Sequence, residues 1–319
     1  MNEVTVCSVA EAAKALQDYN IIFNTDGEVP IIELPGMKRN DLIHGFTTRL
    51  GGVSRGIYES LNLGTRLDDD HADVMENYRR LGRSLGIDET GISFPNQVHD
   101  TRILVVRNET HDGKTDATTG GINGGLTDGV TAESFGGITD ATRDGIDAQI
   151  TDVPGIPLIV FGADCVPILF YDPVNKAIGS AHAGWRGAVN GIASKVVRTM
   201  GDEFGTNPSD LIVGIGPSIG QENYEVDRVV IDEVDKCLGT VAEASGIYIR
   251  RDRPDGEERY MLNLWELNKA VLTSAGVPAD NINIAGICTM KHHDIFFSHR
   301  YTSGHRGLNA GIICLPPSL

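Results

Sequence analysis

The amino-acid sequence predicts an α+β protein, and three features of its apolar pattern support this fold class. Short apolar runs with the length of buried strands occur in the middle of the chain, among them PLIVFG, VPILFY and AIGSAH. Stretches with apolar residues at helical spacing occur singly between such runs. The strand-like runs follow one another in hairpin-like pairs, so a regular βαβ alternation is not expected.

The first third of the chain is predicted to be rich in strands. Its elements are early strands or a hairpin at residues 20–36, a strand at 43–48, a helix at 71–86 and a strand at 102–107. The hairpin-like stretch breaks at Pro35-Gly36, a pair typical of turns. Gly86 is the expected end of the helix.

The part of the chain after residue 146 is predicted to form the rest of the core. Its elements are strands at 157–162, 166–171, 177–182, 211–216 and 282–287, and helices at 187–203, 226–238 and 264–275. The first of these helices carries apolar residues on one side, including Val189, Ile192 and Val196.

Residues 110–146 separate these two parts and have a different composition. They are rich in Gly, Thr and Asp, contain near-repeats such as GGING and GGITD, and show no hydrophobic period. We therefore expect a flexible insert at about 110–146. We favour a passive insert over a lid, because Phe135 is its only aromatic residue.

Length and charge limit the class of protein. The chain has 319 residues, 40% of them hydrophobic, which suits one large domain or two small ones. Its formal net charge of -17 repels phosphate backbones and anionic lipids, so we expect neither nucleic acid nor a membrane as partner. A local arginine pocket can still oppose this overall field and bind a small anion.

The N-terminus and the cysteines favour a cytoplasmic protein. The start of the chain does not read as a signal peptide, and no apolar run approaches the roughly 18 residues that span a bilayer. The five cysteines are scattered and odd in number, so we expect no disulfide framework.

Three segments carry side chains that bind metals, each at the edge of a predicted strand. They contain His99 in NQVH, Cys165 in GADCVP and His182 in SAHAGWRG. One thiolate and two imidazoles are a standard three-ligand set for zinc with an open fourth position. From the residues alone, however, a cysteine beside a strand is more often a small core residue, and a lone histidine is more often a satisfied polar group.

The segment AHAGWRG also predicts an anion site. A strand ends there, a glycine turn follows, and a helix is expected to begin near Ala188, where free N–H groups attract anions. Arg186 adds hydrogen-bond donors suited to phosphate or carboxylate. A structural salt bridge of Arg186, with Trp185 in the core, is an equally good interpretation. The same two interpretations, anion binding or a structural role, apply to Arg49 in its glycine-rich turn.

Seven blocks together resemble the YfiH-type family, also called the multicopper polyphenol oxidoreductase or laccase-like family. The blocks are FTTRLGGVSRGIYESLNLG (46–64), NQVH (96–99), ADCVP (163–167), AHAGWRG (181–187), GPSIG with YEV (216–226), ICT (287–289) and FFSHR (296–300). They occur in the family's order and cover nearly the whole chain apart from the insert. The stretch Gly304-His-Arg-Gly307 is a variant of a less fixed region.

The resemblance implies a fold and an activity. It implies a single catalytic domain over residues 1–319, layered, with two packed mixed sheets flanked by helices. Family members are purine nucleoside phosphorylases that act on adenosine, inosine, guanosine and methylthioadenosine, with an adenosine deaminase side activity. Their zinc ion is held by one cysteine and two histidines that match His99, Cys165 and His182.

Further residues are predicted to contact substrate. Phosphorolysis needs a bound phosphate and a stabilised leaving base, so we assign phosphate to Arg49, Arg186 and Arg300. Arg186 is also predicted to be catalytic, together with Asp164 as a candidate acid or base. Since neighbouring residues of a strand point to opposite faces, Asp164 has the alternative of pointing away from the metal. We add three polar residues of the matched blocks as substrate or phosphate contacts, namely Ser54, Asn62 and Gln97.

Two other functions are alternatives. A copper-dependent polyphenol oxidase, or laccase, is the rival enzyme, but multicopper centres use many paired histidines, and the close pair here is His292-His293. A non-catalytic, metal-stabilised interaction protein is the other, against which the open coordination position and the arginines argue. The HxE and PCxxC signature of zinc deaminases is absent.

Overall fold

Two large sheets stacked face to face form the centre of the protein. The structure, a computed structural model, describes residues 4–107, 145–239, 241–253 and 256–317. In chain order the strands are β1 (Ile22–Asn24), β2 (Ile31–Glu33), β3 (Ile43–Thr47), β4 (Ile103–Val105), β5 (Ala148–Thr151), β6 (Leu158–Gly162), β7 (Val166–Asp172), β8 (Ala177–Ala183), β9 (Ile212–Ile215), β10 (Glu225–Val226), β11 (Tyr248–Asp252), β12 (Glu258–Leu262), β13 (Ile282–Ile284) and β14 (Asn309–Cys314).

The strands form three sheets. A five-stranded sheet has the order β1-β2-β3-β14-β6 and is antiparallel throughout. A six-stranded sheet has the order β13-β9-β7-β8-β5-β4, and its two outer pairs are parallel. The third sheet is a small antiparallel one, with the order β10-β12-β11.

The outer faces of the two large sheets are covered by helices, whereas the first helix of the chain packs with the apolar residues between the sheets. In chain order they are α1 (Val9–Leu16), α2 (His71–Leu85), α3 (Trp185–Val189), α4 (Ile192–Phe204), α5 (Arg228–Leu238), α6 (Val241–Ala244), α7 (Leu264–Ser274) and α8 (His299–Thr302). The side chain of Asp70 caps the start of α2 by accepting the N–H of Ala72. Gly86 ends this helix in the left-handed conformation, with φ of 68°.

Three layers of apolar packing follow from the alternation of side chains along the strands. In β7, Ile168 and Phe170 face α4, α5 and α7, whereas Leu169 and Tyr171 face the five-stranded sheet. The outer face of the five-stranded sheet packs against α2. All seven residues of β7 and all seven of β8 are buried, which explains their nearly continuous apolar sequence.

The α+β class is confirmed, and the details differ in three places. Of the two large sheets only the six-stranded one is mixed, and the small third sheet was not expected. The predicted helix at 187–203 is two helices, because the chain breaks at Asn190 and at Gly191, which has φ of 71°. The first of these begins at Trp185, not near Ala188.

Two further expectations concern the insert and the membrane. Apart from Gly145 and Ile146, the insert predicted at 110–146 lies outside the described residues. In the part of the chain that the structure describes, every helix is too short or too polar to cross a membrane.

Candidate metal centre and the surrounding site

Three metal-binding side chains from distant parts of the chain meet where β7 begins and β8 ends. The candidate ligand atoms of His99, Cys165 and His182 lie within 4.8 Å of one another. Cys165 Sγ is 3.9 Å from His99 Nε2, and the ring centroids of the two histidines are 4.8 Å apart. Among the described residues, no other group of three His, Cys, Asp or Glu side chains has this geometry.

The backbone around each ligand is shaped by the fold. His182 lies near the end of β8 opposite Pro167 of β7, and Cys165 lies in the tight turn that leads into β7. Two residues of this region adopt left-handed conformations that are rare for residues other than glycine, His99 with φ of 65° and Asp164 with φ of 95°. Such conformations persist where surrounding contacts determine them, and they are frequent at functional sites.

A buried aspartate connects two of the ligands. Asp147 is 1% exposed and its Oδ1 lies 2.8 Å from Nδ1 of His182. Its two oxygens also accept hydrogen bonds from the backbone N–H groups of Val98, His99 and Asp100 at 2.9–3.0 Å. The carboxylate therefore orients the His182 ring so that Nε2 is left for a metal, the usual arrangement behind metal-binding histidines.

The electrostatics of the ligands favour a thiolate. Burial opposes the charged form of Cys165, but His182 and His99 outweigh it and lower the pKa of the thiol to about 6. Burial likewise opposes the charged form of His182, but Cys165 and Asp147 raise its pKa. A thiolate is the form in which cysteine binds metals.

The space beside the ligands requires a glycine. A Cβ atom on Gly184 would lie 3.0 Å from Cys165 Sγ and 3.2 Å from His99 Cδ2, closer than side chains normally approach. Gly184 therefore keeps open the volume next to the sulfur and the imidazole. One thiolate and two imidazoles suit zinc, and they also suit copper, so the residues present fit a single metal ion.

A second group of side chains borders the ligands from the C-terminal part of the chain. Asp164 accepts a hydrogen bond from Thr289 Oγ1 at 2.7 Å and another from the N–H of Arg300 at 2.6 Å. Tyr224 interacts electrostatically with Cys165 and Asp164, and the guanidinium of Arg300 lies over its ring at 5.2 Å. Burial raises the pKa of Tyr224 well above its ordinary value, so its hydroxyl stays protonated.

The three arginines predicted to bind phosphate differ in their surroundings. Arg49 is 3% exposed, and its guanidinium donates to the carbonyl oxygens of Glu59 and His293 and stacks on Phe297. These contacts indicate a structural role in the turn. Arg186 is exposed and lies over the Trp185 ring, 4.2 Å from the centroid.

Arg300 is exposed as well, and it lies at the site. Its Nη1 donates to the carbonyl oxygen of Glu225 at 3.0 Å, while its backbone N–H holds Asp164. The helix that contains Arg186 has five residues, which gives it a weak dipole for holding an anion. The start of this helix is therefore a weak anion site, and the role of Arg186 as a phosphate contact stays a prediction.

Three other predicted contacts are used inside the protein. Ser54 donates to Asp69 at 2.7 Å, and the buried Asn62 bonds to the same carboxylate while accepting the N–H of Leu308. Gln97 forms a pair of hydrogen bonds with the backbone of Phe161. Their polar groups support the loops around the site, and their role as substrate contacts stays a prediction.

Comparison with known proteins decides the family. The model of the multi-copper polyphenol oxidoreductase laccase family matches residues 43–316. The chain belongs to this family.

Named relatives within this laccase family are phosphorylases. The chain is 34% identical over 268 residues to purine nucleoside phosphorylase YlmD of Bacillus subtilis. The aligned region covers 84% of this chain and 86% of that protein. It is 36% identical over 266 residues to the protein of the same name from Geobacillus stearothermophilus, with 83% and 87% covered.

Solved structures of the laccase family share the fold. The crystal structure of Bacillus licheniformis hypothetical protein YfiH superimposes with a TM-score of 0.75 at 31% identity, covering 92% of this chain and 98% of that one. YlmD from Geobacillus stearothermophilus gives the same TM-score and identity, with 94% and 100% covered.

Two site residues were missed by the sequence analysis of this laccase-family chain. Asp147 follows directly on the segment without hydrophobic period, so nothing in the local pattern connected it to His99 or His182. Tyr224 was part of a matched block, but its position beside Cys165 depends on the turn after β9. An acidic residue immediately before the buried strand β5 was the one available indication of Asp147.

Proposed function

We propose that this chain is a zinc-dependent purine nucleoside phosphorylase. The reaction converts adenosine, inosine, guanosine or methylthioadenosine and phosphate into the free base and the ribose 1-phosphate derivative. The observation that carries the proposal is the group of His99, Cys165 and His182, preorganised by Asp147 at a site bordered by arginines. The names of the relatives support phosphorolysis of purine nucleosides, and the individual nucleosides are those that the family resemblance implies.

The chain's own residues have distinct tasks in this proposal. A bound zinc ion would act as a Lewis acid at its open coordination position. Asp147 holds His182 in the orientation needed for a ligand. Arg186 and Arg300 contribute positive charge near the place where phosphate and the departing base carry negative charge. Asp164 acts by holding the backbone of Arg300, since both its oxygens already accept hydrogen bonds.

The alternatives fit the site less well. A multicopper oxidase needs several metal centres, whereas the described residues assemble one group of three ligands. Adenosine deamination is a side activity in our proposal, because an activated water could occupy the same open position. The two activities are separated by their products, ammonia on one side and free base with ribose 1-phosphate on the other.

The test measures phosphate-dependent cleavage together with metal content. We expect purified protein to contain about one zinc per chain by elemental analysis, and to release hypoxanthine from inosine when phosphate is present. Cys165→Ala should lose both the zinc and the turnover. Cys237→Ala is the matched control, because Cys237 is an exposed cysteine on α5, and it should retain both. Equal cleavage with and without phosphate indicates hydrolysis and contradicts the proposal. Oxidation of phenols by the copper-loaded protein, with no cleavage of nucleosides, also contradicts it.

A further inference from the structure

One arginine near the candidate site forms no hydrogen bond or salt bridge with the residues that the structure describes. Arg306 is partly buried and its Nε is fully shielded from solvent, yet among the described residues this atom has no hydrogen-bond partner. Nor does Arg306 take part in any salt bridge found in the described part of the chain. Arg49 differs from it, because the buried guanidinium of Arg49 donates to two carbonyl oxygens.

A cation in this condition is unfavourable by itself. Removing a guanidinium from water costs free energy that a carboxylate or hydrogen-bond acceptor normally offsets. Burial is the main cause that lowers the pKa of Arg306, so the desolvation is substantial. An unpaired shielded cation is therefore expected where a ligand supplies the missing negative charge.

Arg306 interacts electrostatically with residues of the candidate site. The acidic groups whose charge acts on it are Asp164, Cys165 and Tyr58. Its own charge acts on His299, which is also influenced by His99. Arg306 therefore lies within electrostatic reach of the turn that carries Cys165 and of Tyr58.

The backbone at Arg306 is held in place. A Cβ atom on Gly307 would lie 2.7 Å from the Phe297 ring and 2.8 Å from Asn62 Oδ1, so this glycine packs tightly and fixes the chain next to Arg306. The charge of Asp164 acts on Arg306, but the hydrogen bonds of this carboxylate go to Thr289 and to the N–H of Arg300 rather than to the guanidinium. Nothing in the described protein takes the place of an anion there.

We propose that Arg306 binds the inorganic phosphate used in the reaction, as the main oxyanion-binding side chain of the site. The inference rests on the proposed phosphorylase function and goes beyond the arginines predicted from the sequence. A guanidinium with free N–H donors matches a phosphate oxyanion in charge and geometry. Phosphate bound there would lie close to Cys165 and to the metal that it holds.

The test compares Arg306→Gln and Arg306→Lys with a charge-matched control. Arg198→Gln serves as control, because Arg198 is exposed on α4 and its loss removes the same charge from a different surface. We expect Arg306→Gln to raise the KM for phosphate about tenfold or more, the effect of losing a hydrogen bond to a charged group. The KM for inosine should change less than about threefold. Arg306→Lys should give an intermediate KM for phosphate, since it keeps charge but loses the planar donors.

A second measurement does not depend on turnover. Phosphate should raise the melting temperature of the wild type and of Arg198→Gln but not that of Arg306→Gln, because ligand binding to the native state stabilises it. An unchanged KM for phosphate and an unchanged thermal shift in Arg306→Gln would overturn the inference. If Arg306→Gln does not fold, the result is read from Arg306→Lys, and a wild-type KM for phosphate in that variant also overturns it.

The same data separate this inference from the proposed function. A wild type that binds phosphate through Arg306 but cleaves no nucleoside contradicts the phosphorylase proposal and leaves the anion site standing. A wild type that cleaves inosine with phosphate, and whose Arg306→Gln variant does the same with the same KM, contradicts the anion site alone.

Discussion

Two buried aspartates border the candidate site and collect their hydrogen bonds from different parts of the chain. Asp147 accepts from three consecutive N–H groups of the segment that carries His99, and it is bonded to Nδ1 of His182. Asp164 accepts from Thr289 and from the N–H of Arg300. The first aspartate thus connects two candidate metal ligands to each other, whereas the second connects the turn at Cys165 to the C-terminal loops.

In the proposed function, this difference assigns Asp147 to the metal ligands and Asp164 to the loops that would hold the substrate. Burial would raise the pKa of Asp147, but His182 and the backbone N–H groups outweigh it and lower the pKa, so the carboxylate stays charged behind the ligand. Asp164 instead accepts a hydrogen bond from the N–H of Arg300, and its charge acts on Arg306 in the same C-terminal part of the chain. We therefore expect changes at the two aspartates to have separable effects.

The largest effect is expected at Asp147. Asparagine has the same size, but its amide replaces one acceptor oxygen with a donor group that would face backbone N–H donors. Asp147→Asn should lower zinc affinity about 10- to 100-fold, as is typical when the group behind a metal-binding histidine is changed. Competition with a chromophoric chelator measures this affinity without any need for turnover, and activity should fall in parallel.

A third buried aspartate is the control for this experiment. Asp172 is fully buried and accepts the N–H groups of Val174 and Asn175 at the end of β7 away from the ligands. Asp172→Asn should cost stability, as judged by urea unfolding, while zinc affinity stays at the wild-type value. If both variants lose zinc equally, the role of Asp147 is general stability and the comparison between the two sides of the site fails.

A smaller effect is expected at Asp164. Asp164→Asn keeps one acceptor oxygen, so one of the bonds to Thr289 and to the N–H of Arg300 is lost. We expect zinc content to stay unchanged and kcat/KM for phosphate to fall about tenfold, the size of one hydrogen bond to a charged group. Loss of zinc from this variant would show that Asp164 supports the metal ligands as Asp147 does, and that the two aspartates do not have separate roles.

The fold could be predicted where the local pattern is decisive. The runs that became β6, β7 and β8 were predicted because strands buried on both faces are almost continuously apolar. The helix α2 was predicted with its end at Gly86 because its apolar face and its cap are both local. Neither β14 nor the small third sheet was predicted, because β14 owes its central place to pairing with β3 and β6, distant in sequence.

The site residues likewise divide into those that could be predicted from the sequence and those that could not. The metal-binding side chains could be named from residue type and family resemblance, and the structure brings them together. The sequence alone could not distinguish Arg49 from Arg306, because both lie close to glycines in turns and only the fold decides which guanidinium meets carbonyl oxygens. The link between Asp147 and His182 spans 35 residues and depends on the pairing of β5 with β8.

The smallest effect concerns a buried histidine that is held neutral, in contrast to Asp147, which is held charged. His44 is 4% exposed, and its Nε2 accepts the N–H of Leu34 at 3.1 Å. Burial lowers the pKa of His44 to about 4. The unfolded chain, with an ordinary histidine pKa of about 6.5, therefore binds the proton first. The contribution of His44 to the free energy of unfolding is fully present above about pH 6.5. It decreases as the pH falls from about 6.5 towards 4, by about 1.4 kcal/mol per pH unit at most.

The variant His44→Gln isolates this contribution, because it removes the titration while an amide oxygen can still accept the N–H of Leu34. We expect its free energy of unfolding, from urea titrations between pH 7 and pH 5, to vary less with pH than that of the wild type. Other groups titrate in the same range in both proteins, so the difference between the two curves reports on His44. Parallel curves would mean that His44 takes up its proton at the same pH in the folded and unfolded states, and that burial with the N–H of Leu34 does not hold it neutral.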